Sequence, residues 1–188
     1  MPLQLDTERL IVRAFREDDL EALGAWMLDP DVTRHLLLSF HSLEELRPRI
    51  EMYNRHHRNL GYSFWAMERK ADNLVIGGCG LLPIGWIGPD VEIAWHMRKD
   101  CWGQGYAPEA AGAVLDYGVN VLKLPRIWAL LSPENTASRR VTQKVGMEYV
   151  GLGSYQGHPH EFYIVPKGTG RKPPNGPDLT PPVSPGLA

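Results

Sequence analysis

The stretch Trp102-Gly103-Gln104-Gly105-Tyr106-Ala107, followed by Pro108-Glu109, has the residue types and spacing of a phosphate site. Two glycines one residue apart let a turn aim several backbone N–H groups at one spot. A helix opened by Pro108 at its first position adds partial positive charge there. The chain holds no G-x-x-x-x-G-K-[ST], so this is not a Walker A loop. Gly103-x-Gly105 runs on to Pro108 where a dinucleotide fingerprint has its third Gly or Ala. Elsewhere, His158 and His160 share a strand face. Glu161 points the other way and no further Cys or carboxylate completes a set, so no metal is expected. Cys79 and Cys101 read as free thiols, because two cysteines do not make a disulfide framework in a chain of 188 residues.

The elements that must position the turn are legible from periodicity. Val91 to Met97 is an apolar strand leading into it, and Ala111, Val114, Leu115 and Gly118 form the inner face of a helix reaching about Leu122. Upstream, Leu5 to Phe15 alternates as one strand. Leu20, Leu23, Trp26 and Met27 mark a helix over 17–28 that Asp29-Pro30-Asp31 stops. Ser42 and Glu45 form a capping box for a second helix to about Arg58, with Pro48 a point for a kink. Between these helices, Val32 to His41 is an apolar loop of the kind that covers a pocket. Tyr62 to Arg69 and Leu74 to Pro83 are strands joined by Ala71-Asp72-Asn73, and Gly85 to Asp90 links the second to Val91. Beyond the glycine turn come a strand over 126–131 and a helix capped by Asn135 and stopped by Gly146. Met147 to Tyr155 and His160 to Val165 are two last strands.

This order predicts an α/β (α+β) fold: a mixed, mostly antiparallel sheet of six to seven strands with helices on both faces. The strands flanking the glycine-turn helix pair in parallel through a right-handed crossover. Residues 1–165 make one domain, and 166–188, rich in Pro and Gly, read as a disordered tail. A net charge of −2 gives no electrostatic footprint for nucleic acid or an anionic membrane. No apolar run reaches spanning length and the start lacks a signal-peptide pattern, so the expected location is cytoplasmic.

Three motifs together resemble one family, the GNAT superfamily of acetyl-CoA-dependent N-acetyltransferases, and within it the RimJ/RimL-type branch. The turn lies on the family's pyrophosphate motif (Q/R)-x-x-G-x-(G/A), with Trp102 at the opening position. The branch's E-I-G-Y-W-L, spacer and Y-W-G-K-G-Y-A-T-E-A is similar to Glu92-Ile93-Ala94-Trp95-His96-Met97, then Cys101-Trp102-Gly103-Gln104-Gly105-Tyr106-Ala107-Pro108-Glu109-Ala110. Pro108 stands where Thr or Ser is usual, which removes a hydroxyl and an N–H from the cradle. Asn135 to Arg140 with Lys144-Val145-Gly146-Met147 resembles the N-x-x-S helix start and K-x-G-F end. Arg9-Leu10-Ile11-Val12-Arg13 resembles the T-x-R-L-x-L-R first strand.

The resemblance implies acetyl transfer from acetyl-CoA directly to an amine, with no metal. Pyrophosphate would rest on the backbone of Gly103, Gln104, Gly105 and Ala107, within a cofactor stretch that includes Trp102 and Tyr106. Met97 and Arg98 would lie where the central strand splays from its parallel neighbour. The Met97 N–H then becomes the oxyanion donor. Asn135 would contact pantetheine or water, and Ser138 would give the thiolate its proton, since the position of the usual Tyr acid is Thr142 here. Glu92 would accept the amine's proton, with His96 as the rival base. The acceptor stays open between a protein N-terminus, a polyamine and an aminated small molecule. Homodimerisation is common in the family. A second reading also stands: a CoA-binding sensor or scaffold that has lost catalysis.

Overall fold

The computed structural model describes residues 4–84 and 90–166. Most of the predicted tail and most of the link after Pro83 lie outside them. The chain forms strands β1 (Gln4–Asp6) and β2 (Leu10–Arg13), helices α1 (Leu20–Met27), α2 (Pro30–Thr33) and α3 (Leu43–Leu60), and strands β3 (Phe64–Arg69), β4 (Leu74–Pro83) and β5 (Val91–Met97). Helix α4 (Tyr106–Asp116), strand β6 (Ile127–Leu131), helix α5 (Thr136–Lys144) and strands β7 (Glu148–Tyr155) and β8 (His158–Ile164) complete it. One sheet takes the order β1-β2-β3-β4-β5-β6-β8-β7, antiparallel throughout except for the β5–β6 pair.

The sheet thus has eight strands rather than six or seven. The expected single strand over Leu5 to Phe15 is a hairpin. The Thr7 hydroxyl accepts from Leu10 N at 3.0 Å and the Thr7 N–H donates to Leu10 O at 2.9 Å, which folds the polar Thr7-Glu8-Arg9 segment into a turn. Asp29 does end α1, but its side chain also accepts from Asp31 N at 2.8 Å and so caps the short α2. Helix α3 runs as one element through Pro48.

Helices cover both faces, as the alternation requires. The α4 residues Ala110, Ala111 and Val114 pack on Trp65, Met67, Ile93, Ile127 and Ala129 on one face, where Val141 of α5 and Val145 just after it join them. On the other face, Leu23, Trp26 and Met27 of α1 and Leu46, Ile50 and Tyr53 of α3 pack on Phe64, Ala66 and Val75. A third cluster, Ile84, Trp128, Leu130 and Phe162, extends that face over β6 and β8. The residues of β5 therefore divide. Val91, Ile93 and Met97 face α4, while Glu92, Ala94 and His96 share the face covered elsewhere by α1 and α3.

The helix of the glycine turn begins earlier than expected. Gly105 is its N-cap, with φ of 84°, so Tyr106 is the first helical residue and Pro108 the third. A proline costs the helix nothing there, because the first turn's N–H groups have no intrahelical acceptor.

Candidate active site

Strands β5 and β6 pair only at Val91↔Ile127 and Glu92↔Trp128. Beyond those residues they diverge, and β5 continues to Met97 with β4 alone beside it. The Arg98 N–H donates to Ile76 O at 2.9 Å, which sets the alternation of the antiparallel ladder. Residues in phase with Arg98, such as His96, turn their backbone groups to β4. Met97 and Trp95 turn theirs to the gap. The Met97 carbonyl is taken by the Trp102 indole N–H at 3.0 Å, so the polar group this residue offers to the gap is its N–H.

A cleft of about 390 Å³ fills the gap. Of the predicted site residues it is lined by Met97, Trp102, Gly103, Gly105, Tyr106, Ala107, Asn135 and Ser138, which come from three separate segments. Among the amides that open α4, those of Gly105, Tyr106 and Ala107 carry an N–H and Pro108 does not. Gly103 at φ 75° and Gly105 at φ 84° turn the chain in the left-handed region that a side chain disfavours. At Gly105 a Cβ would also stand 3.3 Å from Arg9 Nη2.

That arginine belongs to a clamp which sequence reasoning missed. Glu109 accepts from Thr7 Oγ1 at 2.6 Å, from Arg9 N at 2.8 Å and from Arg9 Nε at 2.7 Å. Arg9 Nη1 donates to Gln104 O at 2.9 Å, and its guanidinium lies 4.5 Å from the Tyr106 ring centroid. Burial alone would raise the Glu109 carboxyl, but the bonds from Thr7 and Arg9 outweigh it and hold it below its ordinary value. The β1–β2 turn thereby fixes the shape of the glycine turn. The signal available was the acid at the start of α4 and the arginine of the first motif, a hundred residues apart.

Across the gap, Asn135 Oδ1 accepts from Ser138 N at 3.0 Å, the cap expected of it. Ser138 is half-buried and lines the cleft. Thr142, at the position of the family's usual tyrosine, is buried and bonded to Arg139 O at 2.8 Å, away from the lining.

Three predicted residues are not in the lining. Arg98 pairs with Asp100 at 2.9 Å, and Gln104 turns its side chain to Asp100 O at 3.0 Å. Glu92 lies about 16 Å from Met97 along the strand, at ~3.3 Å per residue. Among the described residues no hydrogen bond or ion pair reaches its carboxylate, and burial pushes it up to about 7. The rival base, His96, does line the cleft. Its Nδ1 is buried without a hydrogen-bond partner among the described residues, and burial lowers the ring to about 4, so it is neutral at pH 7. Gly78 assists its placement: a Cβ there would fall 2.2 Å from Phe64 Cε1, and the Phe64 ring stands 5.3 Å from the imidazole.

A sheet opened at a parallel pair, with a glycine turn and two helix starts around the opening, defines an acyl-CoA N-acyltransferase. Residues 9–148 match the profile of the acetyltransferase (GNAT) domain, and the chain belongs to this family. It is 36% identical over 151 residues to YkkB of Bacillus subtilis, covering 78% of this chain and 86% of that one. It is 32% identical to the N-acetyltransferase p20 of Bacillus licheniformis, over 79% and 84% of the two chains. A GNAT-family acetyltransferase from Bacillus anthracis superposes with a TM-score of 0.74 at 28% identity, covering 87% of this chain and 98% of that one. RimL, the ribosomal L7/L12 alpha-N-protein acetyltransferase in complex with coenzyme A, shares the fold at a TM-score of 0.75 and 19% identity, over 87% and 97%.

Proposed function

We propose that this N-acetyltransferase moves an acetyl group from acetyl-CoA to a primary amine that enters from the side of α2 and the β7–β8 hairpin. The observation that carries the reading is the Met97 N–H, directed into a gap whose lining also includes the glycine turn, Asn135 and Ser138.

Each step has a group suited to it. The amides of Gly103, Gly105, Tyr106 and Ala107 hold the pyrophosphate of acetyl-CoA, aided by the dipole of α4. Asn135 bonds the pantetheine arm. The Met97 N–H donates to the thioester oxygen as negative charge develops on it. Ser138 gives a proton to the departing thiolate. For the proton leaving the amine, His96 meets the requirement of reach and Glu92 that of proton affinity. The two share one strand face with only Ala94 between them. His96 therefore receives the amine, and Glu92 draws the proton onward through water.

The test is thiol release from acetyl-CoA over a panel of amines: short peptides with different N-termini, polyamines and small aminated molecules. Turnover with at least one amine is expected. Tight CoA binding with no turnover across the panel would overturn the transfer reading in favour of a CoA-binding sensor.

A further inference from the structure

Beside the cleft lies a second recess, about 620 Å³, walled by Pro30, Thr33, Leu36, Leu37, Leu38 and Ser39 with Gln156 and His158 of the hairpin opposite. Arg34 lines both spaces and so stands at their junction. Building on the transfer reading, we infer that Arg34 binds a carboxylate of the acceptor, and that the substrate is an amine carrying a carboxylate and an apolar side chain.

Arg34 has its charge available for this. Among the described residues no carboxylate lies within ion-pair distance of its guanidinium. Of the nearby acids, Asp29 caps α2 and Asp31 pairs with Lys99, while Glu134 acts on the neighbouring His35 and makes no ion pair with Arg34. The Arg34 Nε donates to His35 Nε2 at 3.1 Å, which steadies the group and leaves its two terminal nitrogens to make a planar fork. That fork matches the two oxygens of a carboxylate.

The rest of the lining agrees on sign and polarity. Asp31 is the one carboxylate bordering either space among the described residues, whereas Arg140 and Lys144 add positive charge to the cleft. A polyamine would bring several cations to a lining whose one carboxylate is already paired with Lys99, with Glu134 acting on His35 from outside it. Leu37 and Leu38 keep 38% and 46% of their surface exposed beside Arg34, an apolar wall for a side chain to cover.

The carboxylate could be the α-carboxylate of a free amino acid or an acidic side chain next to a peptide N-terminus. Leucine against leucinamide tests the first source, and the amides of Leu-Asp against Leu-Asn test the second. With wild-type protein the acid of at least one pair should exceed its neutral partner about 10- to 100-fold in kcat/KM, as expected for a hydrogen bond to a charged group. Arg34→Ala should bring that ratio to within about twofold and leave the KM for acetyl-CoA unchanged. Equal use of acid and amide in both pairs, a preference that survives Arg34→Ala, or spermidine outperforming every carboxylate-bearing amine would overturn the inference. Calorimetry of N-acetylleucine and its amide with the CoA complex reads Arg34 without turnover. Preference for the acid, lost in Arg34→Ala, supports the inference even if no amine is acetylated. Equal binding of the two, or none, counts against it.

Discussion

Glu92→Gln probes a carboxylate that burial has made reluctant to ionise. The group is half-buried, lacks a hydrogen-bond or ion-pair partner among the described residues, and titrates at about 7 instead of its ordinary 4.5. Between those two values the folded chain keeps a proton that the unfolded chain has released. Stability therefore falls as pH rises through this window, and the cost is fully present above about 7. At about 1.4 kcal/mol for each tenfold change in proton affinity, the window amounts to about 3 kcal/mol. Partial contact with solvent reduces this to about 2 kcal/mol. Glutamine keeps the shape and removes the charge. The variant should equal wild type near pH 4.5 and exceed it by about 2 kcal/mol at pH 8.5, which is roughly 4–8 °C in melting temperature for a chain of this size. Urea unfolding at a series of pH values measures the difference. An offset that does not change with pH, or a loss at high pH, would refute the reasoning, because it would mean that the carboxylate is paired or freely solvated. In turnover the same variant should lower kcat and leave CoA affinity nearly unchanged. A pH–rate profile identical to wild type would remove Glu92 from the proton path.

Two further outcomes follow from the geometry. Glu109→Gln keeps one acceptor for Thr7 and Arg9 but sets an NH2 against the remaining donor; with Arg9 41% exposed, the loss should be about 1–2 kcal/mol. It should appear as a rise of about tenfold in the KM for acetyl-CoA with kcat within about twofold, and an unchanged KM would show that the clamp does not shape the cradle. Ser138→Ala should lower kcat about 100-fold or more with little change in that KM. The Asn135 cap uses the Ser138 N–H rather than its hydroxyl, so α5 should keep its stability, and an unaltered kcat would take the hydroxyl out of the mechanism.

The sequence made most elements legible because their apolar periods match the faces they bury. Ala111, Val114 and Leu115 lie under α4, and Leu46, Ile50 and Tyr53 under α3, as spacing required. It misled where a short polar segment turned within an alternating run, at Thr7 to Arg9, and where Gly105 rather than a residue just before Pro108 opened the helix. The backbone side of the cleft could be read because its residues sit in contiguous motifs around turns and helix starts. The clamp of Arg9 on Glu109 could not, since it joins segments a hundred residues apart. Nor could spacing along β5 tell that the cleft ends at Trp95 and leaves Glu92 beyond it. That limit depends on where β6 departs.

The parting of β5 from β6 has a consequence for solubility. An opened pair exposes two strand edges in the middle of a sheet, and an unpaired edge is a template on which another chain can add a strand. Here the Trp102 indole occupies the Met97 carbonyl, so an incoming strand would find a donor at that position but no free acceptor. The start of α5, held to β8 by Arg139 and Glu161 at 2.9 Å, walls the opening. The tryptophan at the motif's opening position thus removes one of the acceptors on which a neighbouring polypeptide could add a strand.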